Sequence, residues 1–151
     1  MFSRIAILIG IKQIITFLFL VGSLSCNFNF YGDVSLGSDF YYMVEPAFNS
    51  VVIPVNPEKP FRSSIYIIQD VESIGYDQKY VLVSSKKEGE VAYWVIDKTK
   101  KKEELGYDSN SNMKLSNVNQ VNFAAFDSLK HSREIEIKTK IQYWEAHGYK
   151  Y

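Results

Sequence analysis

Two runs of β-branched and aromatic residues, Lys79-Tyr80-Val81-Leu82-Val83-Ser84 and Val91-Ala92-Tyr93-Trp94-Val95-Ile96, are separated by Ser85-Lys86-Lys87-Glu88-Gly89-Glu90. Strand-type runs at this separation, with a glycine in the connection, predict an antiparallel hairpin. Gly75-Tyr76-Asp77 reads as the turn that precedes it. Upstream, Phe40-Tyr41-Tyr42-Met43-Val44, Val51-Val52-Ile53-Pro54-Val55 and Ser64-Ile65-Tyr66-Ile67-Ile68 are further short strand runs, set apart by Pro, Asn and Gly. Pro54, Pro57 and Pro60 make the second of these an edge strand or a turn-bounded piece.

Downstream the periodicity changes. Ser116 stands where an N-cap would, and Val118, Val121, Ala125 and Leu129 recur at three- and four-residue spacing, which predicts one amphipathic helix over about 116–130. Ile135, Ile137, Thr139, Ile141 and Tyr143 alternate with polar residues, as in a half-buried strand over 134–144. A helical reading through Ile137, Ile141 and Trp144 competes with it. The expected fold is therefore α+β or mainly β, an antiparallel sheet of five to seven strands with one packed helix. Hydrophobic residues make up 46% of the chain, with 11 Tyr and 10 Phe, enough to bury a core and to argue against disorder. The single cysteine excludes an intramolecular disulfide framework and a cysteine-based zinc site, so stability must come from packing.

That cysteine lies at the end of an export-type segment. Arg4 and Lys12 give a positive start, and residues 14–21 are a continuous apolar run, too short to cross about 30 Å of hydrocarbon as a helix. Reading residues 5–24 as an uncleaved anchor would place Lys12 within the apolar core at a cost of about 3 kcal/mol. The run leads into Gly22-Ser23-Leu24-Ser25-Cys26, which resembles the lipobox of bacterial lipoproteins, although Ser23 stands where that motif prefers an aliphatic residue. The resemblance implies cleavage before Cys26 and diacylglyceryl modification of its thiol, and two acyl chains suffice for stable anchoring. The competing reading is an ordinary signal-peptidase site at Ser23 and Ser25, which would leave a secreted chain with a free N-terminal thiol. The expected organisation is a signal peptide over 1–25, the lipidated cysteine and a tether over 26–38 that partly joins the fold, and one globular domain over 39–151.

Charge and chemistry exclude more than they assign. The chain carries 17 Lys plus Arg and 17 Asp plus Glu, and loses two of the basic residues with the signal segment. A near-neutral domain lacks the basic footprint of a nucleic-acid binder. Lys98, Lys100, Lys101 and Lys102 are largely offset by Asp97, Glu103 and Glu104, so residues 97–104 read as a solvated loop rather than a lipid-headgroup patch. His131 and His147 are 16 residues apart with no second ligand at metal spacing, and His131 is placed to favour a helix C-terminus. No phosphate-cradling glycine loop, nucleophile elbow or zinc-protease pair is present. No cofactor or metal is expected. Aromatic residues on strands are the one unusual feature, and Tyr66, Tyr76, Tyr80 and Tyr93 are the candidate binding surface. Trp94, within the hairpin, is expected to be a core residue.

Ile74-Gly75-Tyr76-Asp77, Tyr80-Val81-Leu82-Val83 and Tyr93-Trp94-Val95-Ile96-Asp97-Lys98 before Gly106 resemble a family of small bacterial lipoproteins of unknown function, over residues 71–106. The resemblance implies an anchored β-containing domain and carries no catalytic residues. The expected function is a non-enzymatic binding or scaffolding module of the cell envelope. It would be held to a membrane outside the cytoplasm by lipidated Cys26, with an envelope protein or another ligand as partner. The alternative is a secreted, soluble small-ligand or peptide binder, and a hydrolase ranks third.

Overall fold

The hairpin forms where the sequence places it. In the computed structural model, which describes residues 33–56 and 63–149, β6 (Tyr80–Lys87) and β7 (Glu90–Asp97) pair without interruption from Tyr80 opposite Asp97 to Lys87 opposite Glu90. The expected six-residue connection shrinks to Glu88 and Gly89, which take φ of 51° and 93°. Two consecutive positive φ values are the signature of the type I′ turn, whose twist matches that of the flanking strands. The preceding turn begins at Asp77 rather than Gly75. The Asp77 Oδ1 accepts from the backbone N–H groups of Lys79 at 2.6 Å and Tyr80 at 2.7 Å, closing an Asx-type turn. Gly75 instead lies within β5 (Val71–Tyr76), which pairs with β6.

The strands β10 (Val118–Val121) and β11 (Lys138–Thr139) complete a five-stranded antiparallel sheet in the order β10-β7-β6-β5-β11. A second sheet, β1 (Val34–Gly37), β2 (Phe40–Met43), β3 (Ser50–Pro54) and β4 (Ser64–Ile68), is an antiparallel meander in chain order. A ribbon of β8 (Glu104–Tyr107) and β9 (Met113–Leu115), with helices α1 (Phe123–Ser132) and α2 (Lys140–Ala146), completes the described elements. The fold is the expected mainly β, α+β class, divided into three sheets with two helices. The segment read as a tether enters it, since residues 34–37 are β1 and Leu36 is buried. The β3 strand is central rather than at an edge. Pro54 is tolerated because it is the last residue of that strand. Residues 1–25 and Cys26 lie outside the described residues.

Side-chain alternation along the hairpin builds two apolar layers. Val81, Val83 and Ile96 face the four-stranded sheet and pack with Phe40, Tyr42, Val51 and Ile68. Leu82 points the other way, into a smaller cluster with Phe126 of α1 and Ile135. Burying each such side chain contributes about 1.5–3 kcal/mol, so a hairpin buried on both faces is where stability concentrates.

Two elements depart from the periodicity reading, one because strand pairing captured residues with helical spacing, the other because a helix cap ends an extended segment early. Val118 and Val121 are spaced as in a helix, but they pair with Ile96 and Tyr93 of β7 as β10. The helix therefore starts after Asn122, whose Oδ1 accepts from Ala125 N–H at 2.9 Å, and Ser116 is not its cap. The predicted strand over 134–144 is extended only to Thr139. There Thr139 and Gln142 form a capping box that starts α2.

Lys98 is not a solvated loop residue. Its ammonium donates to the carbonyls of Leu36 at 2.6 Å and Asp77 at 2.5 Å, tying β1 to the start of the hairpin, and burial lowers its pKa.

Asp33, at the entry to β1, is 7% exposed. Burial first, and then the charge of Glu45, push its carboxyl pKa up to about 6 against a lowering by His147. A raised acid pKa means the folded state takes up protons between 3.8 and about 6, so this residue opposes stability above that window and ceases to do so as pH falls through it. Asp77 has the opposite sign. Its pKa is lowered, because against desolvation the N–H groups of Tyr80 and Lys79 and the Arg133 guanidinium favour the carboxylate, so its contribution is lost only as pH falls below 3.8. Asp33→Asn is expected to flatten the stability profile between 3.8 and about 6, removing at most roughly 3 kcal/mol of pH dependence. Urea midpoints across that window that change identically in both proteins would show that Asp33 titrates normally.

Candidate functional site

The inward face of the hairpin changes from aliphatic to polar along its length. On β6 that face runs Val81, Val83, Ser85, Lys87, and on β7 it runs Ile96, Trp94, Ala92, Glu90. The first pairs are core and the last are polar or small. Ser85 and Ala92 face each other in register, and a groove of about 480 Å³ lies over them. Trp94 lines it half-buried, packs against the main core, and donates its indole N–H to Ser85 Oγ at 2.9 Å. Gln120, opposite Trp94 on β10, extends the lining.

The walls of the groove are two polar turns. One is the corner Gln69-Asp70, where the chain crosses from β4 to β5 and Asp70 adopts φ of 55°, a left-handed conformation costly for a residue with a side chain. The corner is held by Lys86 N–H donating to Asp70 O at 2.9 Å. The other wall is the 108–112 turn, where Asp108 accepts from the N–H groups of Asn110 and Asn112. Gln69 Nε2 donates to Asn112 Oδ1 at 2.8 Å, and Asn112 Nδ2 donates to Asp108 Oδ2 at 3.1 Å, so a chain of polar side chains links the walls. The Asp108 carboxyl is held below its usual range: desolvation raises it, but the Asn112 and Asn110 donors and Lys114 outweigh that.

A second groove of about 480 Å³ shares Gln69 and Asp70 and is lined by Phe48, Tyr66, Glu72, Lys140 and Trp144. Lys140 pairs with Glu72 at 2.7 Å and lies over the Trp144 ring. The two hollows meet at the Gln69-Asp70 corner.

The four tyrosines chosen from sequence do not form one surface. Tyr66 lines the second groove. Tyr76 is 41% exposed at the end of β5, with the Lys98 ammonium over its ring. Tyr80 stacks with Arg133, and Tyr93 packs against Phe123 and Phe126 of α1. Strand alternation separates them: Tyr80 and Tyr93 share the helix-covered face of the hairpin, whose opposite face carries the first groove. Trp94, expected in the core, packs against it while half-buried at the groove. The signal for the groove was in the sequence as the change from Val81 and Val83 to Ser85 and Lys87 on one face.

Both histidines are engaged locally. His131 Nδ1 lies 2.8 Å from Asp127 O in the last turn of α1, and His147 Nδ1 lies 2.8 Å from Tyr143 O at the end of α2. Among the described residues no group of three or more His, Cys, Asp or Glu is placed to hold a metal ion, and no helix is long and apolar enough to cross a membrane. Comparison with protein-family models, with curated proteins and with solved structures gives no match.

Proposed function

We propose that this chain is an envelope lipoprotein, carried outside the cytoplasm by residues 1–25, anchored through Cys26, and acting as a non-enzymatic binding module. The observation that carries the binding half is the groove beside Trp94 with its polar walls, built where the inward face of the hairpin passes from Val81 and Val83 to Ser85 and Lys87. Its polar side chains already hydrogen-bond to one another, a pre-organisation that favours recognition. A turnover site would want a nucleophile paired with a base, and the two histidines are engaged at helix ends away from the groove. The anchoring half rests on the apolar run and the residues before Cys26. The resemblance to small bacterial lipoproteins over residues 71–106 belongs to the same proposal. In that reading β1 begins eight residues after Cys26, so the domain sits close to the lipid surface.

Cys26→Ser is expected to abolish incorporation of an alkyne fatty acid in bacterial cells and to move the protein out of the membrane fraction. Equal labelling of both proteins would refute the anchor.

A further inference from the structure

From the same groove, and resting on its reading as a binding site, we infer that the ligand is an uncharged saccharide. Three classes of ligand fit the lining poorly. Among the described lining residues the carboxylates of Asp70, Glu88, Glu90 and Asp108 outnumber the ammonium of Lys87, so phosphates and acidic sugars meet a repulsive field. Polar groups line both walls, and a lipidic chain laid over them would take them out of water without giving them hydrogen-bond partners. An extended peptide usually adds to an unpaired strand edge, and β7 offers one only over Glu90–Ala92, beyond its pairing with β10 at Tyr93–Ile96, whereas the groove lies over the faces of β6 and β7. A ligand in this groove must be recognised by side chains.

What the side chains offer suits hydroxyl groups. Each amide supplies an acceptor oxygen and two N–H donors, and a sugar hydroxyl is both donor and acceptor. Gln69 is oriented by Asn112, which is fixed by Asp108, and Gln120 reaches in from the opposite side. Carboxylates at the rim accept from neighbouring hydroxyls. Trp94 supplies the remaining requirement, a broad ring for the C–H face of a pyranose. Its N–H is already satisfied by Ser85, so the indole is held in one orientation. The floor pair Ser85 and Ala92 is small enough to leave room above it.

The test titrates the full chain in detergent with neutral gluco-, galacto- and manno-oligosaccharides, and separately with a lysine-rich peptide, followed by calorimetry and tryptophan fluorescence. At least one neutral oligosaccharide series is expected to bind, with Gln69→Ala and Gln120→Ala each weakening binding roughly tenfold. Both positions carry little of the core, so these variants report on binding rather than on folding. Leu105→Ala, at an exposed position outside the groove lining, should bind as wild type does. Peptide binding that the two glutamine substitutions abolish, with no saccharide binding, would overturn the ligand class and leave the groove as a binding site. No binding in either arm, or saccharide binding unaffected by both substitutions, would overturn the inference, while the fatty-acid labelling of Cys26 decides the anchor independently.

Discussion

Tyr42→Ala is expected to destabilise the domain by about 3–5 kcal/mol, the range for removing a large buried aromatic side chain. Tyr42 is fully buried on β2, and its ring meets Tyr143 of α2 edge-on at 5.2 Å. Its hydroxyl donates to Asn49 Oδ1 at 2.6 Å, and Asn49 Nδ2 donates to Val71 O at 2.6 Å. Burial, then the neighbouring Tyr143 and Glu72, push the phenol pKa well above its ordinary value, so the donating proton stays in place. One side chain thus joins the four-stranded sheet, α2 and the first residue of β5. Tyr42→Phe keeps the ring and removes the donor to Asn49, and should cost about 1–2 kcal/mol. Urea melts that find the two variants equally stable would show that the ring contributes little and that the core has been misplaced.

Gly75→Ala should be nearly as severe although it adds one methyl group. A Cβ at position 75 would fall onto the Glu136 carbonyl oxygen, within 2.7 Å of Ile137 Cδ1 and 2.9 Å of Ile135 Cγ2. The first obstacle is backbone, which cannot swing aside as a side chain can. The extended segment 135–137 crosses β5 here and leads into β11, so the added methyl pushes on the only connection between α1 and the sheet edge. Overpacking of this kind costs about 3 kcal/mol or more when the neighbour is rigid. Gly89→Asn makes the contrast. That turn position has φ of 93° and nothing within 4 Å of an added Cβ, and asparagine tolerates positive φ, so the cost should stay below about 1 kcal/mol. The reverse order of stabilities would mean that residues 135–137 do not lie against β5.

The hairpin was legible because its signal is redundant: strand-type residues, a glycine-bearing turn and charged flanks agree. The residues after Ser116 were not, because Val118 and Val121 suit a helix and a strand equally. The choice was made by Ile96 and Tyr93 across the sheet. Asn122, the true cap, is no weaker a capping residue than Ser116, so composition alone could not rank them. Thr139 and Gln142 carried a readable capping box, overridden in the sequence reading by the longer alternation around them. For the site, aromatic content pointed to tyrosines that the fold distributes over several surfaces. The informative pattern was the loss of aliphatic residues along one face of the hairpin, which needs the register of β6 against β7 before it can be seen.

Where the mature chain begins, and what it carries there, decides whether the domain is anchored. Intact-mass measurement of the protein purified from bacterial membranes is predicted to give a chain starting at Cys26 with the added mass of a diacylglyceryl group, with or without a further acyl chain on the amine. A chain that retains Met1, or one that starts at or after Cys26 with no added lipid mass, would contradict it.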